Sequence, residues 1–156
     1  MKWLSPLFLL FILIGCTNQE TTPVTEGATT PEEALKFIDE TKEEREIKVY
    51  SSRHIRDTMV LIAFTGAMNE SDIWVADVRQ SDSYWTVEKL YQMNGPLEEI
   101  NDEEIVFTTD HFELGYVLSN AEALESEGII TIDPEKDWRI LIRDLNMIAV
   151  TARIGN

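Results

Sequence analysis

Residues 59–64, MVLIAF, are apolar at every position. A half-exposed strand alternates apolar and polar side chains, so an unbroken run of this kind belongs at the centre of a sheet. Around it, from Ile47 onward, the chain is rich in Val, Ile, Thr, Tyr and Trp and changes from helical to alternating period. That composition predicts a succession of strands. The segments EIKVYSS and TMVLIAFT flank Arg56-Asp57; with those two residues as the turn, Val49 faces Phe64, Tyr50 faces Ala63 and His54 faces Met59. DIWVADVR and YWTVEKLYQ predict a second hairpin about Ser81-Asp82, pairing Val78 with Trp85, Ala76 with Val87 and Trp74 with Lys89.

Upstream, Thr30-Pro31-Glu32-Glu33 is a helix start, with Thr30 as N-cap, Pro31 at the first helical position and Glu33 completing a capping box. Ala34, Leu35 and Ile38 form an apolar stripe, with Phe37 and Thr41 beside it, which predicts an amphipathic helix from residue 31 to about 44. Downstream, Asn94-Gly95-Pro96 ends the hairpin unit, and LEEINDEE at 97–104 is expected as an acidic surface loop. IVFTTD and FELGYVL are further strands, with His111-Phe112 either a tight turn or part of one continued strand. Ser119 to Glu122 repeats the capping-box pattern and predicts a short helix near 120–127 closed by Gly128. IITID is another strand, and WRILIRD is expected to pair with MIAVTARI around Leu145-Asn146. The fold class expected is therefore α+β, one N-terminal amphipathic helix packed on mainly antiparallel β-hairpins.

The first sixteen residues have a different character. Lys2 is followed by eight uninterrupted apolar residues at 7–14, and then by Leu13-Ile14-Gly15-Cys16 with the chain's one cysteine. A positive start and an apolar core far short of the roughly twenty residues that cross a bilayer describe an export signal. The tetrapeptide resembles the lipobox of bacterial lipoproteins. That resemblance implies cleavage before Cys16, acylation of its thiol, and a mature protein held on the outer face of the cell membrane by its lipid. Residues 1–15 are then signal peptide and 16–30 a lipidated cysteine and tether. Residues 31–156 form one domain with a possible subdivision near 94–104. The tether carries six Thr and a single aliphatic residue, Val24. Fourteen such residues span about 20 Å, beyond the ~8 Å Debye length at physiological salt. Beyond the lipobox, the order helix, hairpin, hairpin over residues 31–93 resembles several small exported lipoproteins of Gram-positive bacteria that have no assigned activity. A weaker similarity is to the nuclear-transport-factor-2-like cone, in which helices pack on a curved sheet around a pocket. This chain departs from that family in having one N-terminal helix where the family usually has more.

The sequence carries 13 Lys+Arg and 29 Asp+Glu, a net charge of −16. Loss of Lys2 with the signal leaves 12 cations against 29 acids, or −17. Such a surface repels nucleic acid and anionic headgroups, so no nucleic-acid partner is expected. With one cysteine no intramolecular disulfide forms. No metal or cofactor is expected either. The histidines His54 and His111 stand 57 residues apart, outside zinc-ligand spacing, and the acidic loop lacks the alternation that wraps calcium. No glycine-rich phosphate loop or nucleophile elbow occurs, and no catalytic residue is assigned. Asp110 and His111 with Glu113, and His54, are the only pocket candidates. The aromatic residues say more. Trp74, Tyr84, Trp85 and Tyr91 crowd one hairpin; on its outer face they make a recognition patch, whereas turned inward the two tryptophans cover the sheet against the helix. The function expected is a non-catalytic binding or accessory module engaging another envelope protein or the cell wall. The alternatives are a small-ligand binder or enzyme with a pocket between helix and sheet, and a calcium-dependent module.

Overall fold

The structure, a computed structural model, describes residues 27–38, 46–67, 71–122 and 127–147. Among the described residues eight strands form two four-stranded antiparallel sheets. The first contains β1 (Lys48–Arg56), β2 (Met59–Thr65), β3 (Ile73–Ser81) and β4 (Tyr84–Gln92) in sequential order. The second contains β5 (Glu103–Thr108), β6 (Phe112–Leu118), β7 (Glu127–Ile130) and β8 (Trp138–Asp144) in the order β5-β6-β8-β7. A short helix, α1 (Pro31–Ala34), runs on as a 3-10 turn, Leu35–Phe37, and packs on the first sheet. The chain thus has the α+β architecture of an N-terminal helix on antiparallel hairpins.

All seven residues of β2 are buried, and the reason is visible on its two faces. Met59, Leu61 and Ala63 point into a core shared with Phe112, Leu114, Ile140 and Ile142 of the second sheet. Val60, Ile62 and Phe64 meet Ala34 and Leu35 of the helical segment. The first sheet is the middle of three layers, so its central strand has no solvent face. The helix begins as its sequence predicts, with Thr30 Oγ1 accepting from Glu33 N at 3.2 Å. The return half of the cap reaches one residue further back, to Thr29, whose N and Oγ1 donate to the Glu33 carboxylate at 3.0 and 2.7 Å. Those bonds, the hydroxyl's first, hold the Glu33 carboxyl below its ordinary value.

Several expected registers are corrected. The first turn is Asp57-Thr58, not Arg56-Asp57. Val49 does pair with Phe64, but irregularities after Val49 and His54 put Ser51 opposite Ala63 and His54 opposite Val60. The second turn is Asp82-Ser83, with Asp82 at φ 56, a left-handed conformation that Asp tolerates better than most residues. Val78 therefore meets Val87, Trp85 meets Gln80, Ala76 meets Leu90, and Trp74 meets Gln92 while Lys89 lies opposite Asp77. Glu103 and Glu104, expected in the acidic loop, open β5 because they pair with Val117 and Tyr116. His111 belongs to a turn, where Thr109 Oγ1 accepts from the N–H of His111 and of Phe112 at 3.2 and 3.0 Å. β8 pairs with β6 and β7. Leu145 to Met147 form a helical turn, and 148–154 of the expected partner strand lie outside the described residues. Residues 39–45 of the predicted first helix and 123–126 of the predicted second also lie outside them, and Glu127 and Gly128 are in β7 rather than at a helix end.

The crossing between sheets is fixed at Gly95. Its φ of 129° is one that L side chains rarely adopt, and an added Cβ would stand 3.0 Å from the Trp138 ring. Its N–H donates to the Tyr116 hydroxyl at 3.2 Å, and Tyr116 meets Trp138 edge-on with centroids 5.2 Å apart.

Candidate functional site

The candidate residues of the second hairpin are divided among three environments. Trp85 is buried with Ala28, Ala34 and Leu35, and Trp74 packs against the same cluster, so both tryptophans are on the helical face. The Trp74 indole Nε1 is buried with no hydrogen-bond partner among the described residues. Tyr91 lies on the other face, in the core between sheets, in contact with Phe107 and Phe112. Burial there raises its pKa, and the charge of Asp77 adds to the effect. Tyr84, 42% exposed, is at the solvent end of β4. Strict alternation would keep residues 85 and 91 on one side. The register shift between Asp77 and Val78 leaves Glu88 as an extra residue in β4, and a bulge of that kind reverses the facing of everything beyond it.

The same strand borders a groove. It is a concavity of about 580 Å³ between the helical segment and β4. Ala34, Phe37 and Ile38 form one wall, and residues 85–90 form the other. An adjoining depression of about 490 Å³ shares Gly27, Ala28 and Phe37 with it and extends to Tyr84, Glu33 and Lys36. Phe37, 53% exposed, and Tyr84 therefore stand at its mouth as solvent-facing aromatics. Its floor begins where Trp85 N donates to Ala28 O at 2.9 Å, the one bridge made to the outer side of β4 by the described residues. Gly27 lies so close under the Tyr84 ring that a Cβ would collide with it.

The histidines are elsewhere. His54 is exposed on β1, and His111 Nδ1 lies 3.0 Å from Arg56 Nη2. A guanidinium only donates, so Nδ1 accepts and the remaining ring proton belongs on Nε2. Arg56 also donates to Asn146 Oδ1 at 3.0 Å, while Asp110 is exposed. The turn of the first hairpin is thus tied to the second sheet. His54, Asp110 and His111 do not line the groove.

A second concavity, about 670 Å³, lies against the second sheet and is lined by Asp102, Glu103, Glu122, Glu127 and Arg143 among others. Its centre is the Arg143 guanidinium, which reaches Glu103 at 2.6 Å, Glu113 at 2.9 Å and Glu127 at 2.8 Å. Burial alone would lower the Arg143 pKa, but the hydrogen bonds to Glu103, Glu127 and Glu113 outweigh it and the net shift is upward. Among the described residues no group of three or more His, Cys, Asp or Glu is placed to hold a metal ion. The acidic segment, in particular, sends Glu103 to Arg143.

The sequence singled out Tyr84 and Trp85 but not Phe37 and Ile38 as binding residues. The signal for Phe37 was present, since it lies beside the Ala34-Leu35-Ile38 stripe and not in it. Comparison with protein-family models, curated proteins and solved structures returns no match.

Proposed function

We propose that this protein is a lipid-anchored, extracytoplasmic binding or accessory module of the cell envelope, non-catalytic, with the groove between the helical segment and β4 as its recognition surface. The lipobox-like spacing at Cys16 supports the anchoring. The groove supports the binding: an apolar concavity with the exposed Phe37 on its wall, and the exposed Tyr84 in the depression that adjoins it, is the combination found where proteins meet partners. No helix among the described residues is long and apolar enough to cross a membrane; in this reading the lipid on Cys16 supplies the attachment. A small apolar ligand is the second reading, because about 580 Å³ lies within the ~300–1,000 Å³ typical of small-molecule sites.

Site-specific photocrosslinking in intact cells tests it. A photoreactive residue at Phe37 or Tyr84 is expected to yield a discrete adduct by mass spectrometry, and one at Val106, exposed on β5 of the other sheet, is not. Equal labelling from all three sites would remove the groove from the account.

A further inference from the structure

Six successive residues of β4, 85 to 90, touch the groove. A concavity on the face of a strand is lined by alternate residues, because neighbours point to opposite sides. Trp85, Thr86 and Val87 are consecutive and precede the bulge, so the groove runs along the edge of the strand, against its backbone. Among the described residues β4 ends the sheet order, and its outer side is engaged by Ala28 at Trp85. Since Trp85 N–H points away from β3, alternation directs Val87 N–H outward as well. The apolar groove is therefore bordered by main-chain donors and acceptors, which a hydrocarbon ligand leaves unsatisfied.

We propose that the occupant is an extended polypeptide segment of another exported protein, added as a fifth strand to the edge of β4 along residues 87–90, beyond the bridge that Ala28 makes at Trp85. This rests on the reading of the groove as the recognition surface and specifies its partner. Main-chain hydrogen bonds along residues 87–90 supply affinity, and alternate apolar side chains enter the space between Ile38 and Val87. The net charge of −17 on the chain without its first fifteen residues selects segments flanked by Lys or Arg over acidic ones. The bulge at Glu88 makes the edge irregular, which limits indiscriminate pairing and restricts the partner to segments that fit it.

The test uses the full lipidated protein in lipid nanodiscs. The probes are peptides about seven residues long, with Val, Leu or Phe alternating with Thr and ending in Lys, the same peptides ending in Glu, a backbone N-methylated version of the best binder, and oleate. The expected result is binding of a Lys-ended peptide, slowed amide exchange confined to residues 85–90, and at least about tenfold weaker binding after N-methylation, equivalent to one or two lost hydrogen bonds. Val87→Pro should weaken the peptide similarly; because proline can also disturb the sheet, the N-methylated peptide on unaltered protein carries the same test without it. Undiminished binding of the N-methylated peptide overturns strand addition while leaving the groove as the site. Binding of oleate with no peptide bound does the same and makes the groove an apolar-ligand site. If neither peptide nor oleate alters exchange at residues 85–90, the groove reading fails together with the proposal.

Discussion

Tyr116 carries two duties that oppose each other at high pH. Its ring is part of the core between sheets, and its hydroxyl accepts from Gly95 N at the crossover. Burial raises its pKa above the ordinary value near 10, as it does for Tyr91. Below that value both folded and unfolded chains keep the phenolic proton, and the contribution of these tyrosines is complete. As the pH rises through it, the unfolded chain ionises first, so stability is lost progressively. Thermal unfolding followed between about pH 8 and pH 11 should show this decline, with a shallower slope in Tyr116→Phe. The same variant should cost about 1 kcal/mol near neutrality through the lost bond to Gly95. An unchanged alkaline slope would mean that the hydroxyl is solvated. The bulge at Glu88 acts on the same scale: one inserted residue sends Tyr91 to the inner core and leaves Trp85 under the helix. Alternation along the hairpin predicted that the tryptophans share a face, as they do, but the facing of Tyr91 follows from an irregularity that hydrophobic alternation does not encode.

Among elements, the second sheet has an unusual electrostatic tie. One guanidinium on β8 joins carboxylates from β5, β6 and β7, so every other strand of the sheet contacts Arg143. Glu127 is nearly buried at 8% and Glu113 partly so at 21%, whereas Glu103 at 43% is screened by solvent and contributes less. Arg143→Met leaves three like charges around an apolar side chain. Urea unfolding should show a loss of about 2–3 kcal/mol, with part recovered in Arg143→Met/Glu113→Gln. A change within about 0.5 kcal/mol, the level of ordinary surface substitutions, would show the cluster to be dispensable. The sequence placed Arg143 on a strand but could not assemble this cluster. Its members lie 40, 30 and 16 residues from Arg143 and converge through a sheet order in which β7 follows β8 at the edge.

At the level of the molecule, the proposed anchor at Cys16 is tested apart from the fold. Cys16→Ala should abolish lipid incorporation and move the protein from the detergent phase to the aqueous phase or leave an uncleaved precursor, with the urea midpoint of the folded domain unchanged. Unaltered detergent partitioning would refute the anchor. By itself the sequence determined what short-range chemistry controls. The Thr30 cap, the hairpin segments and the two-faced burial of β2 follow from local periodicity and backbone preference. Only the tertiary structure decided the registers, the second sheet's strand order, the dispersal of the aromatic residues and the groove at the edge of β4. These depend on bulges, and on contacts between residues far apart in the chain, where many pairings satisfy the same alternation and only the packing of both faces of the middle sheet selects among them.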